Sequence, residues 1–187
     1  MGAREKATNF LITGLPRSGK TTLVKTICQN RQFIKKTMGF YTQEIKRNGE
    51  RIGFEIVTLP DSKKGILARK HLPSVYRVGA YGINLKDLDG LACKAVEDAL
   101  LTDKIVVVDE IGKMELFSLR FKKVLIQALD SSQTVLATIM QRTNSFADRI
   151  KRREDARLIS LSRDNFQHVL HDLKIWLITP EEAFPKP

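Results

Sequence analysis

Hydrophobic positions along the chain fall into short unbroken apolar runs separated by amphipathic stretches. Ala7 to Thr13, Thr134 to Ile139 and Leu158 to Leu161 read as short strands, and Ile105 to Val108 is β-branched and apolar on both faces, the pattern of a central parallel strand. Between them apolar residues recur at three- and four-residue spacing. Leu23, Val24, Ile27 and Cys28 mark a helix over Gly19 to Gln29. Leu88, Leu91, Ala92, Ala95, Val96, Ala99 and Leu100 mark a second, capped near Asp87. A third carries Phe117, Phe121, Val124, Leu125, Ala128 and Leu129. The last carries Phe166, Val169, Leu170, Leu173, Trp176 and Leu177. This alternation predicts an α/β fold, with a mostly parallel sheet flanked by helices on both faces.

One region breaks the alternation. Phe40 to Arg47 and Arg51 to Leu59 flank Asn48-Gly49, a dipeptide suited to the positive φ angles of a tight turn, so an antiparallel hairpin is expected near residues 38–59. Residues 60–86 are the least legible, because Gly65, Pro73, Gly79 and Gly82 interrupt short β-like pieces. A basic segment from Arg142 to Arg157 precedes the last strand. No internal repeat, low-complexity tract or linker is seen, and 187 residues suit one domain spanning 1–187.

Composition adds a bias and several exclusions. Thirty-two Lys and Arg against 21 Asp and Glu give a net charge of +11, which favours anionic ligands such as nucleotides or nucleic acid. Cys28 and Cys93 lie inside apolar helical patterns and read as buried thiols of a reducing compartment, not as a disulfide or metal site. His71, His168 and His171 lack metal-ligand spacing. No apolar run reaches membrane-spanning length, and Met1 to Lys6 leads into a strand instead of a signal segment. A cytoplasmic, monomeric protein with no membrane contact is the expectation. The proline-ended tail, Phe184 to Pro187, carries no further signal.

The densest chemistry lies where the first strand becomes a helix. Gly14-Leu15-Pro16-Arg17-Ser18-Gly19-Lys20-Thr21 has the spacing of a phosphate-binding loop. Such a loop turns sharply, so that main-chain N–H groups and the helix N-terminus converge on phosphate oxygens. In that arrangement Lys20 reaches the β- and γ-phosphates, the Thr21 hydroxyl ligates Mg²⁺, and Thr22 starts the packed helix. A carboxylate at the tip of a neighbouring strand would complete the metal site, and Asp109 follows Val106-Val107-Val108. The next residue, Glu110, stands where a base could polarise a water in line with the γ-phosphate. Arg69, Arg142, Arg149, Arg152 and Arg153 are candidates for a further cation facing transition-state charge, and Lys113 is another basic residue beside Ile111-Gly112.

"GLPRSGKTTLV", "GFYTQEI", "RIGFEIVTL", "RVGAYGINL" and "VVVDEIGKMELFS", in this order and followed by "VLATI", resemble the small nucleoside-triphosphatase family first described from thermophiles, to which the human cancer-related nucleoside triphosphatase belongs. The resemblance spans about residues 8–165. It implies a RecA-like P-loop NTPase domain that hydrolyses ATP, GTP and other nucleoside triphosphates slowly, with Mg²⁺ and loose base preference. It also carries nucleotide binding onto Gly14 to Thr21 and onto Asp109, Glu110, Ile111 and Gly112. Arg17 departs from the family's usual glycine.

The expected function is thus Mg²⁺-dependent hydrolysis of nucleoside triphosphates, with Lys20 and Glu110 catalytic and Thr21 and Asp109 on the metal. Two alternatives accompany it. One is a small nucleoside or nucleotide kinase, with Arg149 to Arg157 as a lid over the phosphates and Glu110 orienting an acceptor hydroxyl. The other is an NTP-dependent nucleic-acid-binding module, suggested by Lys151-Arg152-Arg153, although no nucleic-acid-binding motif accompanies that charge run and such binding is not expected.

Overall fold

The computed structural model describes residues 9–179. Ala7 and Thr8 of the first predicted strand, the N-terminal Met1 to Lys6 and the proline-ended tail lie outside the described residues. The elements are, in order, β1 (Asn9–Thr13), α1 (Lys20–Cys28), β2 (Thr37–Arg47), β3 (Glu50–Leu59), β4 (Lys64–Lys70), β5 (Arg77–Val78) and β6 (Tyr81–Ile83). There follow α2 (Leu85–Asp87) and α3 (Lys94–Ala99), joined by a π-helical turn over Leu88–Cys93. Then come β7 (Ile105–Ile111), α4 (Leu119–Leu129), β8 (Val135–Ile139), α5 (Ser145–Lys151), β9 (Ala156–Ser160) and α6 (Phe166–Trp176).

All the described strands join one nine-stranded sheet in the order β5-β6-β4-β3-β2-β7-β8-β1-β9. From β2 to β9 every pairing is parallel. From β2 to β5 every pairing is antiparallel. The sheet is therefore half parallel and half antiparallel, not mostly parallel, and the hairpin is the inner part of a larger antiparallel extension. Residues 60–86, illegible by periodicity, supply its outer strands. Glycines and short segments hid that pairing, because β6 takes its register from β4 and β5 from β6, and neither from a pattern of its own.

Local chemistry explains the boundaries. Asn48 (φ 51°) and Gly49 (φ 80°) both take positive φ, so the two-residue turn matches the twist of the strands it joins. The second predicted helix begins at Leu85, not at Asp87. Its cap is Asn84, whose side chain accepts from the Asp87 amide at 3.2 Å. Asp87 instead accepts from the Ile66 amide at 2.7 Å and ties the helix to β4. Ser118 caps α4 through the Phe121 amide at 2.9 Å, which leaves Phe117 in a preceding 3₁₀ turn and partly exposed. Within the basic segment Asn144 caps the helix α5.

Helices cover the parallel half on both faces. Leu11 of β1 joins the larger core with Phe121, Val124 and Leu125 of α4 and Ile150 of α5. Its neighbours Phe10 and Ile12 face the other way, into a core with Leu23 and Ile27 of α1 and Val169, Leu170 and Leu173 of α6. This period of two within a wholly buried strand is what fixes the glycine loop, which starts one residue beyond Thr13. Cys28 and Cys93 are buried free thiols, as expected, and burial pushes both up to about 12.

Candidate active site

The site is built where β1, β7, β8 and β9 end, at the carboxyl edge of the parallel half. Gly14 leaves β1 so closely packed that an added Cβ would meet the Leu161 carbonyl oxygen at 2.4 Å. Gly19, at φ 99°, caps α1, and the Leu23 amide donates to its carbonyl at 2.8 Å. Between them the Ser18 amide closes a turn onto the Leu15 carbonyl at 3.1 Å. Arg17, where a glycine is usual, holds φ 67°, a left-handed conformation that costs an L-residue about 1–2 kcal/mol. Leu15, Pro16 and Arg17 are exposed, whereas Ser18 is buried and its hydroxyl has no protein partner among the described residues. Thr22 is exposed on the first turn of α1, its carbonyl accepting from the Thr26 hydroxyl.

The Lys20 ammonium folds over the loop and donates to the Gly14 carbonyl at 3.0 Å and the Leu15 carbonyl at 3.3 Å. The Thr21 hydroxyl donates to Asp109 Oδ2 at 2.8 Å across 88 residues of sequence. The structure thus unites the two halves of the predicted site, with one change. Asp109 is not on a strand beside β1, because β8 lies between β1 and β7. The intervening strand contributes directly, since the buried Thr138 hydroxyl donates to Asp109 Oδ1. The Thr42 amide of β2 also approaches Oδ2, at 3.5 Å.

Asp109 is fully buried. Burial pushes its carboxyl up, against the hydrogen bonds from Thr138, Thr21 and Thr42 and the charge of Lys20. Glu110, joined to it by a cis peptide, is partly buried. Burial also raises its carboxyl, Lys20 opposes the shift, and the Asp109 charge adds to it. Ile111 and Gly112 are buried behind Glu110. A Cβ on Gly112 would lie 2.9 Å from Glu115 Oε2, so this glycine makes room for a third carboxyl. Glu115 is 4% exposed, and burial together with the neighbouring Glu110 charge pushes it up to about 8.

Lys20, Thr21 and Glu110 open onto one cleft of about 850 Å³, whose far wall is the antiparallel hairpin with Gln43, Glu44, Arg51 and Phe54. Arg51 is fastened there by Glu44 at 2.8 Å and by the Tyr81 hydroxyl at 3.1 Å. A chain of bonds from Lys25 through Gln43 and Glu55 to Lys64 couples α1 to the hairpin. The loop's other flank lines a second cavity, of about 500 Å³.

None of the five arginines considered for transition-state charge lines the 850 Å³ cleft, whereas Arg17 of the loop and Arg51 do. Arg153 is tied to Asp130 and Asp155 at 2.7 Å each. Asp155 in turn accepts from the amide of Asn9 at the start of β1, so this arginine sits at the opposite end of the strands. Arg157 lies over the Trp176 ring and pairs with Phe10 of β1. Arg69, Arg142, Arg149 and Arg152 are exposed, as is Lys113. Sequence reasoning missed Thr138, Thr42, Glu115 and the hairpin wall. A polar residue inside the apolar β8 and an acid inside Met114-Glu115-Leu116 were the available signals for Thr138 and Glu115. Nothing in the pattern marked Arg51 or Gln43.

The donors around Asp109 are hard oxygens, a hydroxyl and a carboxylate within 2.8 Å of each other, a set suited to Mg²⁺ with phosphate and water completing its shell. Among the described residues no group of three or more His, Cys, Asp or Glu could hold a metal.

A phosphate-type glycine loop, a buried carboxylate two strands away and a second acid beside it define a phosphoanhydride-cleaving enzyme built on an α/β sheet. The chain belongs to the NTPase family, whose model matches residues 9–174, and it is a nucleoside-triphosphatase. It is 43% identical over 164 residues to the nucleoside-triphosphatase THEP1 of Thermotoga sp. strain RQ2, covering 88% of this chain and 92% of that one. Its structure is similar to the crystal structure of THEP1 from Aquifex aeolicus, with TM-score 0.84 and 37% identity over 91% of this chain and 99% of that one. It also resembles the solution structure of a human cancer-related nucleoside triphosphatase, with TM-score 0.78 and 31% identity over 96% and 100% of the two chains. No helix among the described residues is long and apolar enough to cross a membrane.

Proposed function

We propose that the enzyme hydrolyses nucleoside triphosphates to the diphosphate and inorganic phosphate with Mg²⁺, largely irrespective of the base. The observation that carries this reading is the 2.8 Å contact between Thr21 and Asp109, with Lys20 and Glu110 opening onto the same cleft. Main-chain amides of the loop and the first turn of α1 hold the phosphate oxygens. Lys20 exchanges its carbonyl partners for the β- and γ-phosphates. Thr21 and Asp109 would hold a magnesium ion, which would offset phosphate charge in the transition state. Thr138 keeps the Asp109 carboxylate aimed.

Glu110 acts as the base. It accepts a proton from a water whose oxygen bonds to the γ-phosphorus while the bond from that phosphorus to the β–γ bridging oxygen breaks. A carboxylate raised by burial is a stronger base than one in water, and its pKa moves toward the working pH. The residues near the reacting end contact phosphate, metal and water, which leaves the base unread at this end.

The test is release of inorganic phosphate from the four nucleoside triphosphates, with and without Mg²⁺ and with candidate acceptors. Comparable release from all four, abolished by chelation and indifferent to acceptors, is the expected result. Label arriving on an added nucleoside would replace hydrolysis by phosphoryl transfer.

A further inference from the structure

We infer that the apolar prominence formed by Val75, Tyr76, Phe117 and Leu119 rests on an anionic membrane surface, its side chains entering the headgroup boundary while exposed cations face the lipid headgroups.

Four of the large apolar residues left exposed by the fold converge at this place. Val75 is 90% exposed, Leu119 79%, Tyr76 40% and Phe117 37%. The two pairs belong to distant stretches, one on the connection between β4 and β5 and one on the entry to α4. They are joined through their rings, since the centroids of Tyr76 and Phe117 lie 5.5 Å apart. Single exposed apolar side chains are ordinary, but a contiguous group marks a surface that something else covers.

Both pairs are held outward by an inward-turned serine. The Ser74 hydroxyl donates to the Ile83 carbonyl at 2.8 Å and accepts from the Tyr76 amide at 3.1 Å. The Ile83 amide returns a bond to the Tyr76 carbonyl at 2.9 Å, which fastens the loop to the end of β6. Ser118 is buried and caps α4 through the Phe121 amide, so its neighbours Phe117 and Leu119 face outward. The exposure is thus built into the local hydrogen bonding.

Charge identifies the occupant's sign. Residues 71–86 contain no Asp or Glu, and residues 113–123 contain only Glu115, which is buried. Arg77, Lys86, Lys113 and Lys123 are exposed. Arg120 beside Leu119 is neutralised by Glu97 at 2.8 Å, and Asp89 faces inward onto the Ser118 hydroxyl. An apolar tip with cations and no exposed acid in either stretch complements an anionic surface.

Shape and residue type favour a bilayer over other polyanions. Nucleic-acid strands are held by stacking on flat ring faces, whereas the two most exposed side chains here, Val75 and Leu119, are aliphatic. An acidic helix would need a groove, and a side chain exposed as fully as Val75 stands on a convex tip. A bilayer boundary accepts aliphatic tips without directional demands and favours Tyr at its polar level. The expectation of no membrane contact rested partly on the lack of a run long enough to span, which does not bear on a surface contact.

The test is co-sedimentation of the full-length protein with vesicles of phosphatidylcholine alone and of phosphatidylcholine with about one-third phosphatidylserine. Binding is expected to the anionic vesicles only and should weaken as salt is raised. Val75→Asp and Leu119→Asp should each weaken it on the order of tenfold, with melting temperature and phosphate release unchanged. Val75→Trp should strengthen it, with indole emission shifting to the blue when the anionic vesicles are added. No binding to anionic vesicles at low salt overturns the inference. So does binding that all three variants leave unaltered, which would make it an effect of the +11 net charge alone. Binding of single-stranded oligouridylate or polyglutamate that the two Asp variants weaken as strongly would replace the membrane by a nucleic acid or an acidic protein.

Discussion

The two halves of the sheet obey different rules. In the parallel half, β1 and β8 are buried at every residue and β7 at all but Glu110, with helices on both faces. In the antiparallel half, β2 becomes exposed toward its turn and β3 begins exposed, and its side chains make ion pairs and ring contacts at the surface. The parallel half holds the groups proposed to react because parallel strands end together, with helix N-termini and loops gathered at one edge. The antiparallel half contributes a wall, reached by long side chains and cross-strand pairs. The contrast teaches that catalysis and enclosure are separate inheritances of one sheet. Each can be perturbed while the other is left standing.

The strongest attack on that division is Glu110→Gln, which keeps shape and removes the base. Turnover should fall by about 10²- to 10⁴-fold while nucleotide affinity, measured by titration, is retained. Undiminished turnover would remove Glu110 from the mechanism and leave the parallel half with no base.

A smaller effect is expected at Glu115, buried beneath the same edge. The folded chain keeps this proton to about pH 8, whereas the ordinary glutamate value is 4.5. Between these values the native state binds more protons than the unfolded one, so this group's contribution to stability falls as pH rises through the window. Glu115→Gln removes the titration. Its melting temperature should decline less than the parent's between pH 6 and pH 9, followed by circular dichroism. Parallel declines would mean that the carboxyl is already ionised at pH 6.

In the antiparallel half, Arg51→Ala removes bonds to Glu44 and Tyr81 and the stacking over Phe54. These groups are partly exposed, so the stability loss should be under about 1 kcal/mol, read as a fall of at most about 4 °C in melting temperature. Turnover should stay within an order of magnitude. A collapse of kcat as deep as that of Glu110→Gln would make the wall part of the chemistry and dissolve the contrast.

The smallest effect belongs to Arg17→Gly. It relieves a φ of 67°, worth about 1–2 kcal/mol, but adds unfolded-chain entropy worth about 0.4–1 kcal/mol. The melting temperature should rise slightly. A fall would show that the Arg17 side chain earns more in contacts than its backbone costs.

Legibility followed the same divide. The strands ending at Thr13, Ile111 and Ile139 could be read because burial on both faces leaves continuous apolar runs, and the loop could be read because its chemistry is local. Arg51, Gln43 and Phe54 could not, since an antiparallel strand with one wet face tolerates almost any residue there. None of the five predicted arginines lines the cleft, for a related reason. A long charged side chain says nothing about which end of a strand it decorates, and Arg153 proved to sit beside Asn9, not beside Gly14.

The amino-acid order alone determined the glycine loop, the strand-to-helix junction that bears it, and the acid pair that follows Val108. Each depends on spacing within a few residues. Only the tertiary structure decided that β8 would lie between loop and acid, that Thr138 would hold Asp109, that Glu115 would sit buried behind Glu110, and that the loop would face two cavities. Those facts depend on which strands lie side by side. Strand neighbours are chosen by the fit of whole buried faces, a global quantity that no short stretch of sequence contains.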